Sequence, residues 1–357
     1  MRSDPASSAP NSSAPDAHRP APGLAEAIAA KDLNNLYLTS CYFADPARYE
    51  AFCSLYALMR VIDDRVDDLP QDPADFDAAG EHEVLRSWEE ALFAAAGGAA
   101  REPGLGARCG MAAARQLVVG AAAAMERFPF PHSLWRNFFI AMHRDVEQTR
   151  FETYREFLDY TEGASVAPTS IYLYLVAAAD PGGSGAYALP DGFDLIRCGR
   201  HLGVFSYLAH ILRDMALDLA TGERGLLYVA WEDLAHFGLD EAMLREDLAR
   251  RGARGALREL AAELARRASV ARDRGVAYLE DLDGKLEPDC AFILEIILDI
   301  YSKALEKLAA ASFDPMAGRH HLSLEEKLEA VAGVAERLGF TLPADALAGR
   351  PIAATEA

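Results

Sequence analysis

The sequence predicts an all-α protein in which one helical domain holds nearly the whole chain. Apolar residues recur at spacings of three and four, and Pro, Gly and Asp residues interrupt this pattern at intervals typical of turns between helices. The stripe Ile293, Ile297, Ile300, Ala304 and Leu308 shows the helical spacing clearly. No convincing run of segments alternates between apolar and polar residues, so we expect no β-sheet.

The same pattern gives the expected helices and the domain limits. Helices are expected near residues 24–40, 47–68, 83–97, 109–127, 132–149, 154–179, 190–220, 239–281, 289–312 and 323–338. Residues 1–22 are rich in Ser, Pro and Ala and cannot bury apolar surface, so we expect a disordered tail there. The domain is then expected over residues 23–340, followed by a weakly structured tail over residues 341–357.

The formal net charge of −20 argues against binding to nucleic acid and against electrostatic docking on an anionic membrane. It leaves open a peripheral membrane contact through an apolar patch, and nothing in the sequence indicates an oligomeric state. No signal-peptide pattern and no apolar run of transmembrane length are present, so we expect a cytoplasmic protein. The five cysteines show no pairing pattern and are expected to be reduced and mostly buried.

A first acidic motif ends the second expected helix. Tyr56, Arg60, Asp63 and Asp67 follow one another at helical spacing and share one polar face. Residues four apart on a helix lie roughly 6 Å apart along the axis. Two carboxylates at that distance repel each other unless a cation lies between them, so this face is a candidate metal site.

A second acidic motif lies in a more apolar helix. Tyr207, His210, Asp214 and Asp218 share one face, and the residues around them are apolar: Phe205, Leu208, Ile211, Leu212 and Met215. A carboxylate buried among such residues is costly without a partner. The second pair therefore indicates a cation site more strongly than the first.

Ionisation of an allylic diphosphate fits two such pairs in one chain. Mg²⁺ is usually held by one or two carboxylates together with phosphate oxygens of the substrate. Two carboxylate pairs facing each other across a helical bundle can hold several Mg²⁺ ions, which neutralise the leaving diphosphate. The carbocation that remains needs a dry apolar pocket, which Leu, Ile, Phe and Tyr residues can supply.

These motifs resemble the two signatures of squalene and phytoene synthases. The segment ALMRVIDDRVDD is similar to the family's Tyr-Ala-x-Cys-Arg-x-x-Asp-Asp-x-x-Asp, and HLGVFSYLAHILRDMALDLATGERGLLYVAWEDLAHFG is similar to its second signature and the flap that follows. The resemblance runs from about residue 30 to residue 328. It implies a single-domain helical bundle of the class I isoprenoid synthase type with a central cavity.

Residue roles follow from the resemblance position by position. It implies Asp63, Asp67, Asp214 and Asp218 as Mg²⁺ ligands. It implies that Arg60 and Arg213 contact or organise the diphosphate. It assigns to the cavity wall the tyrosines Tyr56, Tyr160 and Tyr301, places Asp145 at an acidic position on the intervening helix, and puts Arg224 and Tyr228 in the flap.

The chain departs from the family's second signature at three positions. Tyr207 replaces Gln, His210 replaces Asn and Phe205 replaces a small Ala. His210 keeps a group that can bind a metal or donate a hydrogen bond, while Phe205 and Tyr207 add bulk beside the substrate. Arg224 and Tyr228 stand four residues apart, whereas the family pattern places them two apart.

The resemblance implies a reaction in which two prenyl diphosphates condense head to head. Mg²⁺-assisted loss of one diphosphate gives an allylic cation, the alkene of the second substrate attacks it, and a cyclopropylcarbinyl diphosphate rearranges to a polyene. Family members do this with or without NADPH, and the sequence does not decide between them. Two alternatives stay open: a class I terpenoid reaction of one prenyl diphosphate (cyclisation, hydrolysis or transfer to another acceptor), and a non-catalytic scaffold derived from the family.

Three further features are expected to be structural. The pair His320-His321 lacks a third ligand at suitable spacing and is interpreted as a solvated turn. The segment Gly182 to Gly185 is interpreted as a loop, since no GKS/T follows it. The three tryptophans are isolated in the sequence and are expected in the core: Trp88, Trp135 and Trp231.

Overall fold

In the computed structural model, the described residues are 23–31, 34–70, 76–99, 110–147, 150–221, 228–318 and 320–343. Within these ranges the chain forms helices and no β-strand, with one isolated bridge between Ala179 and Ala188. The helices are α1 (Leu24–Ala29), α2 (Asn35–Ser40), α3 (Pro46–Asp67), α4 (Ala78–Ala96), α5 (Met111–Arg127), α6 (Ser133–Glu147), α7 (Tyr154–Thr161), α8 (Ala167–Ala177), α9 (Leu195–Thr221), α10 (Trp231–His236), α11 (Glu241–Arg250), α12 (Gly255–Leu279), α13 (Pro288–Ala310) and α14 (Leu324–Leu338). A π-helical segment (Glu162–Val166) joins α7 to α8. The all-α prediction is confirmed, while the two predicted tails lie outside the described residues, except for residues 341–343.

Two of the predicted helices are each divided in the structure. The stretch 24–40 forms α1 and α2, because the Asn34 side chain accepts a hydrogen bond from Tyr37 N and starts a new helix. The stretch 239–281 forms α11 and α12, because Arg251 adopts the left-handed conformation that ends α11. The short helix α10 was not predicted.

Helix α9 lies at the centre of the bundle, against α12, α8, α13 and the π-helical segment. A glycine permits its close approach to that segment: a Cβ on Gly203 would lie 2.7 Å from the Cα of Val166. The Ser165 hydroxyl donates to the carbonyl oxygen of Gly203 at 2.9 Å, which joins the two elements at this point. The position of the second acidic motif therefore depends on a backbone contact made one turn before Tyr207.

Helix α3 is anchored at its start by a buried arginine. Asp45 caps the helix, Pro46 occupies its first position, and Arg48 is almost fully buried. The guanidinium of Arg48 donates to the carbonyl oxygens of Leu175 and Ala178 at 2.6 Å, near the end of α8. These contacts hold α3 beside α8, which also packs against α9.

The remaining structural predictions concern the cysteines, the tryptophans and membrane-spanning helices. The four described cysteines are buried, as expected: Cys41, Cys53, Cys198 and Cys290. Trp88 and Trp135 are buried in the core, but Trp231 is half-buried and lies under the guanidinium of Arg150. None of the described helices is both long enough and apolar enough to cross a membrane.

Candidate active site

The first acidic motif occupies the last two turns of α3. Asp63 is half-buried, and burial together with the carboxylates of Asp67 and Asp145 raises its pKa well above the usual value, against the opposing effect of Arg60. The guanidinium of Arg60 lies 2.7 Å from Asp64, whose other oxygen accepts from Lys31 at 3.3 Å. The positive charges of Arg60 and Lys31 therefore lie closest to Asp64. The neighbouring charges that act most strongly on Asp63 are the carboxylates of Asp67 and Asp145.

Tyrosines from three elements surround Asp145 on α6. The Tyr160 hydroxyl donates to Asp145 at 2.9 Å, and Tyr207 is hydrogen-bonded to Tyr160. The rings of Tyr160 and Tyr228 stack with centroids 5.9 Å apart, and Tyr207 stacks on Phe157 at the same distance. Burial, followed by the charge of Asp145, raises the pKa of Tyr160, Tyr207 and Tyr228. These tyrosines form the wall beside the first motif, and all three remain neutral hydrogen-bonding groups.

Asp214 of the second motif is buried and fully occupied by donors. Its two oxygens lie 3.0 and 2.5 Å from Arg213 Nε and Nη2, 2.8 Å from His210 Nε2 and 2.6 Å from His321 Nε2. Burial alone would raise the pKa of Asp214, but these contacts together outweigh it and hold the pKa below the usual range. Asp214 is thus ionised, and its negative charge is already stabilised by Arg213, His210 and His321.

Asp218, one turn further along α9, has the opposite environment. Burial, then the carboxylate of Asp214 and to a lesser extent that of Asp67, raises its pKa to about 7, although Arg213 opposes the shift. The effect of Asp67 on Asp218 indicates that the two acidic motifs are close enough for their charges to interact. Asp63, Asp67, Asp145 and Asp218 therefore bring their charges to one region.

Aromatic side chains of α3, α9 and α13 pack near the two acidic motifs. Tyr56 and Tyr301 are half-buried, and burial raises the pKa of both, to about 12 for Tyr56. Phe205 is buried and meets the ring of Tyr301 edge-on, with centroids 6.1 Å apart. An apolar cavity between α2, α3 and α8 has a volume of about 20 Å³, room for about one water molecule. A prenyl chain can enter there only if side chains move.

The larger cavity of the described structure, about 660 Å³, lies elsewhere, between α7, α9 and α12. Five arginines line it, but most are paired with carboxylates of the same or neighbouring helices. Arg155 binds Asp159, Arg200 binds Glu162, and Arg267 binds Asp233 and Glu263. We place the candidate active site at the two acidic motifs, where burial and neighbouring carboxylates raise the pKa values of Asp63 and Asp218.

Two residues of the site were missed by sequence reasoning, and one prediction was wrong. The pair His320-His321 is not a solvated turn: His320 is buried against the carbonyl oxygen of Asp314, and His321 contacts Asp214. Lys327 on α14 is near Arg213, and burial with that neighbouring charge lowers the Lys327 pKa to about 8. No local pattern could have identified either residue, because both reach the site from the end of the chain.

The other predicted site residues lie on or against the helices that carry the acidic motifs. Tyr56 and Arg60 precede Asp63 on α3, and Phe205, Tyr207, His210 and Arg213 lie on α9. The rings of Tyr160 and Tyr228 pack against Tyr207, and the ring of Tyr301 packs against Phe205. Arg224 lies outside the described residues. Asn35 of α2 is an addition, since its side chain hydrogen-bonds Tyr301.

The carboxylates of this site are suitable ligands for a divalent cation. Asp63 and Asp218 carry raised pKa values because several carboxylates share a desolvated region, and a hard cation relieves that repulsion. Among the described residues, three metal-type side chains approach one another within 4.8 Å at one place, formed by Glu287, Asp289 and Cys290. That group is structural, since Glu287 binds Arg48 and Asp289 accepts from Ala44 N.

Comparisons with known proteins agree with the all-helical fold and identify a family. The family model for squalene/phytoene synthase matches residues 30–326. A solved structure of a dehydrosqualene synthase in complex with ligand is 20% identical, with a TM-score of 0.67, over 89% of this chain and 96% of that chain. The squalene synthase HpnC from Alicyclobacillus acidocaldarius is also 20% identical, with a TM-score of 0.61, over 81% of this chain and 93% of that chain. A search of curated proteins finds no significant match.

Proposed function

Because the chain belongs to the squalene/phytoene synthase family, we propose that it is a Mg²⁺-dependent prenyltransferase that joins two prenyl diphosphates head to head. The observation that carries the proposal is that the Asp67 carboxylate acts on both Asp63 and Asp218, and that burial and neighbouring carboxylates raise the pKa values of Asp63 and Asp218. A structural role does not account for carboxylates held together against their own repulsion. A site that receives cations with its substrate does account for them.

In this proposal the acidic motifs supply the cation ligands. Asp63 and Asp67 from α3, and Asp218 with Asp214 from α9, are the residues that would hold Mg²⁺. When bound, Mg²⁺ supplies neutralising charge for the diphosphate leaving group. Arg213 and Lys327 add positive charge on the α9 side, where the diphosphate of a substrate would lie.

The aromatic wall carries the second part of the chemistry. Tyr160, Tyr207 and Tyr228 supply aromatic rings with neutral hydroxyls, the Tyr160 hydroxyl donates to Asp145, and the ring of Phe157 stacks on Tyr207. Ring faces stabilise a nearby cation, and a wall without free nucleophiles lets an allylic cation survive until an alkene reaches it. The proposal concerns the condensation, and both a reduced and an unreduced product are compatible with it.

Product analysis tests the proposal directly. The purified protein is incubated with Mg²⁺ and farnesyl or geranylgeranyl diphosphate, and the products are extracted and measured by mass spectrometry. A C30 or C40 hydrocarbon, formed only with Mg²⁺, is the expected result. Products limited to C15 or C20 would show that two substrates are not joined.

One observation favours a second candidate, a class I reaction of a single prenyl diphosphate. Phe205 stands where the family has a small residue, is buried, and meets the ring of Tyr301 on α13. The apolar cavity between α2, α3 and α8 has a volume of only about 20 Å³. If side chains move far enough to admit one prenyl tail and no more, cyclisation, hydrolysis or transfer to another acceptor follows. A protein that neither binds nor consumes a prenyl diphosphate would instead be a scaffold.

A further inference from the structure

The cavity of about 660 Å³ between α7, α9 and α12 is lined by residues that do not belong to the acidic motifs. Its basic residues outnumber its two carboxylates, Asp159 and Glu162, although the whole chain has a net charge of −20. Positive charge gathered at one cavity of an acidic protein favours an anionic ligand. The basic residues are Arg155, Arg200, Arg266, Arg267, Arg274 and His201.

Three of these arginines have donors to offer a ligand. Arg274 has no ion-pair or hydrogen-bond partner among the described residues. Arg200 and Arg266 each bind one carboxylate through Nε and Nη2, so Nη1 of each has no partner within the described ranges. Arg267 is different, because it is already shared between Asp233 and Glu263.

The backbone contact between α9 and α12 fixes the place of Arg274. A Cβ on Gly275 would lie 2.4 Å from Cδ2 of Leu202, so the glycine permits the two helices to approach closely. Cys198 Sγ donates to the carbonyl oxygen of Gly275 at 3.6 Å at the same point. The residue before this glycine is therefore held against α9 by packing on the neighbouring turn.

His201 on α9 lies close to two of the arginines with available donors. Burial, followed by the charges of Arg274 and Arg200, lowers the pKa of its imidazole. The ring also stacks on Tyr278, with centroids 5.8 Å apart. Two guanidinium groups and a neutral imidazole N–H thus supply hydrogen-bond donors at one end of the cavity.

The floor of the cavity is apolar. Leu158 of α7, Val204 of α9, and Val270 and Ala271 of α12 line it. Val270 stands four residues from both Arg266 and Arg274, so an exposed apolar side chain lies between two cations on one face of α12. A ligand that fills this space therefore needs a hydrocarbon part beside its anionic group.

We infer that this cavity is a second binding site, separate from the acidic motifs, for a free amphiphilic phosphate ester. Its phosphate group lies at Arg200 and Arg274, and its hydrocarbon chain lies over Val204 and Val270. Guanidinium groups match phosphate oxygens in geometry and charge. The cavity volume is within the range of small-molecule sites, about 300–1,000 Å³. A free molecule is favoured over a lipid in an anionic membrane, because such a surface repels a chain of this net charge.

This site adjoins the aromatic wall of the candidate active site and is distinct from it. The ring of Tyr154, which lines the cavity, stacks on Phe157 with centroids 5.5 Å apart. Phe157 stacks in turn on Tyr207. The phosphate is held here by arginines and not by carboxylate-bound cations, so binding requires no Mg²⁺. The inference therefore does not depend on the proposed function.

Decyl phosphate is the probe for the experiment. It is titrated into the full-length protein by calorimetry, with EDTA present and below the critical micelle concentration. We expect saturable binding, and affinities lower by about tenfold or more for inorganic phosphate, which lacks the chain, and for decanol, which lacks the charge. Proton NMR locates the ligand: the imidazole signals that disappear in His201→Gln should shift in the wild type during the titration.

Arg274→Gln should weaken decyl phosphate binding about tenfold, since it removes a charge-assisted contact. Arg272→Gln is the matched control, because it removes the same charge from α12 at a side chain that contacts Ser302 on α13. It should leave the affinity unchanged. Circular dichroism verifies the fold, and Arg200→Gln serves as a second variant if Arg274→Gln does not fold.

The contribution of the chain is tested separately. Val270→Ser should weaken decyl phosphate binding about fivefold and leave binding of inorganic phosphate unchanged. Val276→Ser is the matched control, since Val270 and Val276 are 38% and 40% exposed on the same helix and only Val270 lines the cavity.

Three outcomes would overturn the inference: no saturable binding of decyl phosphate, equal weakening by Arg274→Gln and Arg272→Gln, or His201 signals that do not move. A vesicle assay adds a fourth. Sedimentation with phosphatidylglycerol vesicles, without binding of free decyl phosphate, would show a membrane surface in place of a free ligand. Formation of C30 or C40 products bears on none of these measurements, so this inference and the proposed function can fail independently.

Discussion

Asp214 and Asp218 lie one turn apart on α9, and their carboxyl pKa values move in opposite directions. Burial affects both residues, but Asp214 receives hydrogen bonds from Arg213, His210 and His321, and its pKa falls below the usual range. Asp218 lacks these donors, feels the charge of Asp214, and has its pKa raised to about 7. Neighbouring carboxyl groups with separated pKa values are typical of sites with a chemical task.

Substitution of these two aspartates should change stability in opposite directions. Asp218→Asn removes an unfavourable buried charge, so we expect a higher melting temperature for the metal-free protein at pH 8. Asp214→Asn leaves Arg213 without its ion-pair partner, so we expect unfolding free energy to fall by roughly 3 kcal/mol. Both should reduce Mg²⁺-dependent turnover about 100-fold or more. Denaturant unfolding with a chelator and steady-state assays measure these effects, and equal stability changes in the two variants would contradict the assignment.

The raised pKa of Asp218 also predicts how the metal-free protein responds to pH. An unfolded Asp has a pKa near 4, so the folded state binds the proton more tightly between pH 4 and about 7. Stability from this residue is therefore lost as pH rises through that window, by at most about 4 kcal/mol. As pH rises from 5 to 8, the unfolding free energy of Asp218→Asn should increase relative to that of the wild type. The exposed Asp283→Asn is the control, and a pH-independent difference for Asp218→Asn would refute the prediction.

Phe205 should control how many prenyl tails the cavity admits. Phe205→Ala removes a buried ring that contacts Tyr301, and should lower unfolding free energy by about 3–5 kcal/mol. The space that it leaves should raise the proportion of two-substrate products over one-substrate products, measured by mass spectrometry of the same reaction mixture. An unchanged product ratio in a folded variant would mean that this ring does not limit the cavity.

The contact between α9 and the π-helical segment should tolerate no side chain at Gly203. Gly203→Ala places a Cβ 2.7 Å from the Cα of Val166, so one element must shift, and we expect a loss of about 1–3 kcal/mol. Gly333→Ala on α14 is the matched helical control, because no atom lies within 4 Å of its added Cβ; it should gain about 0.4–1 kcal/mol. Thermal unfolding distinguishes the two, and a stabilised Gly203→Ala would show that the elements are not in close contact.

The local part of the site could be predicted from the sequence. The pairs Asp63–Asp67 and Asp214–Asp218 follow from residues four apart on a helix, which depend on helical geometry alone. The same geometry could not predict that Asp145 lies beside Asp63, or that Arg60 turns to Asp64. The first contact joins two different helices, and the second depends on which of two neighbouring carboxylates Arg60 binds. Spacing along the chain does not encode either of them.

The sequence by itself determined the helical class, the two acidic motifs and their relation to a known family. These depend on periodicity and on motifs within single helices. Only the tertiary structure decided that His321 and Lys327 belong to the site, that Asp214 is saturated by donors, and that Phe205 is buried against Tyr301. The physical reason is that a carboxylate's pKa and its free lone pairs depend on every group packed around it. For Asp214, those groups come from its own helix and from the segment that precedes the last one.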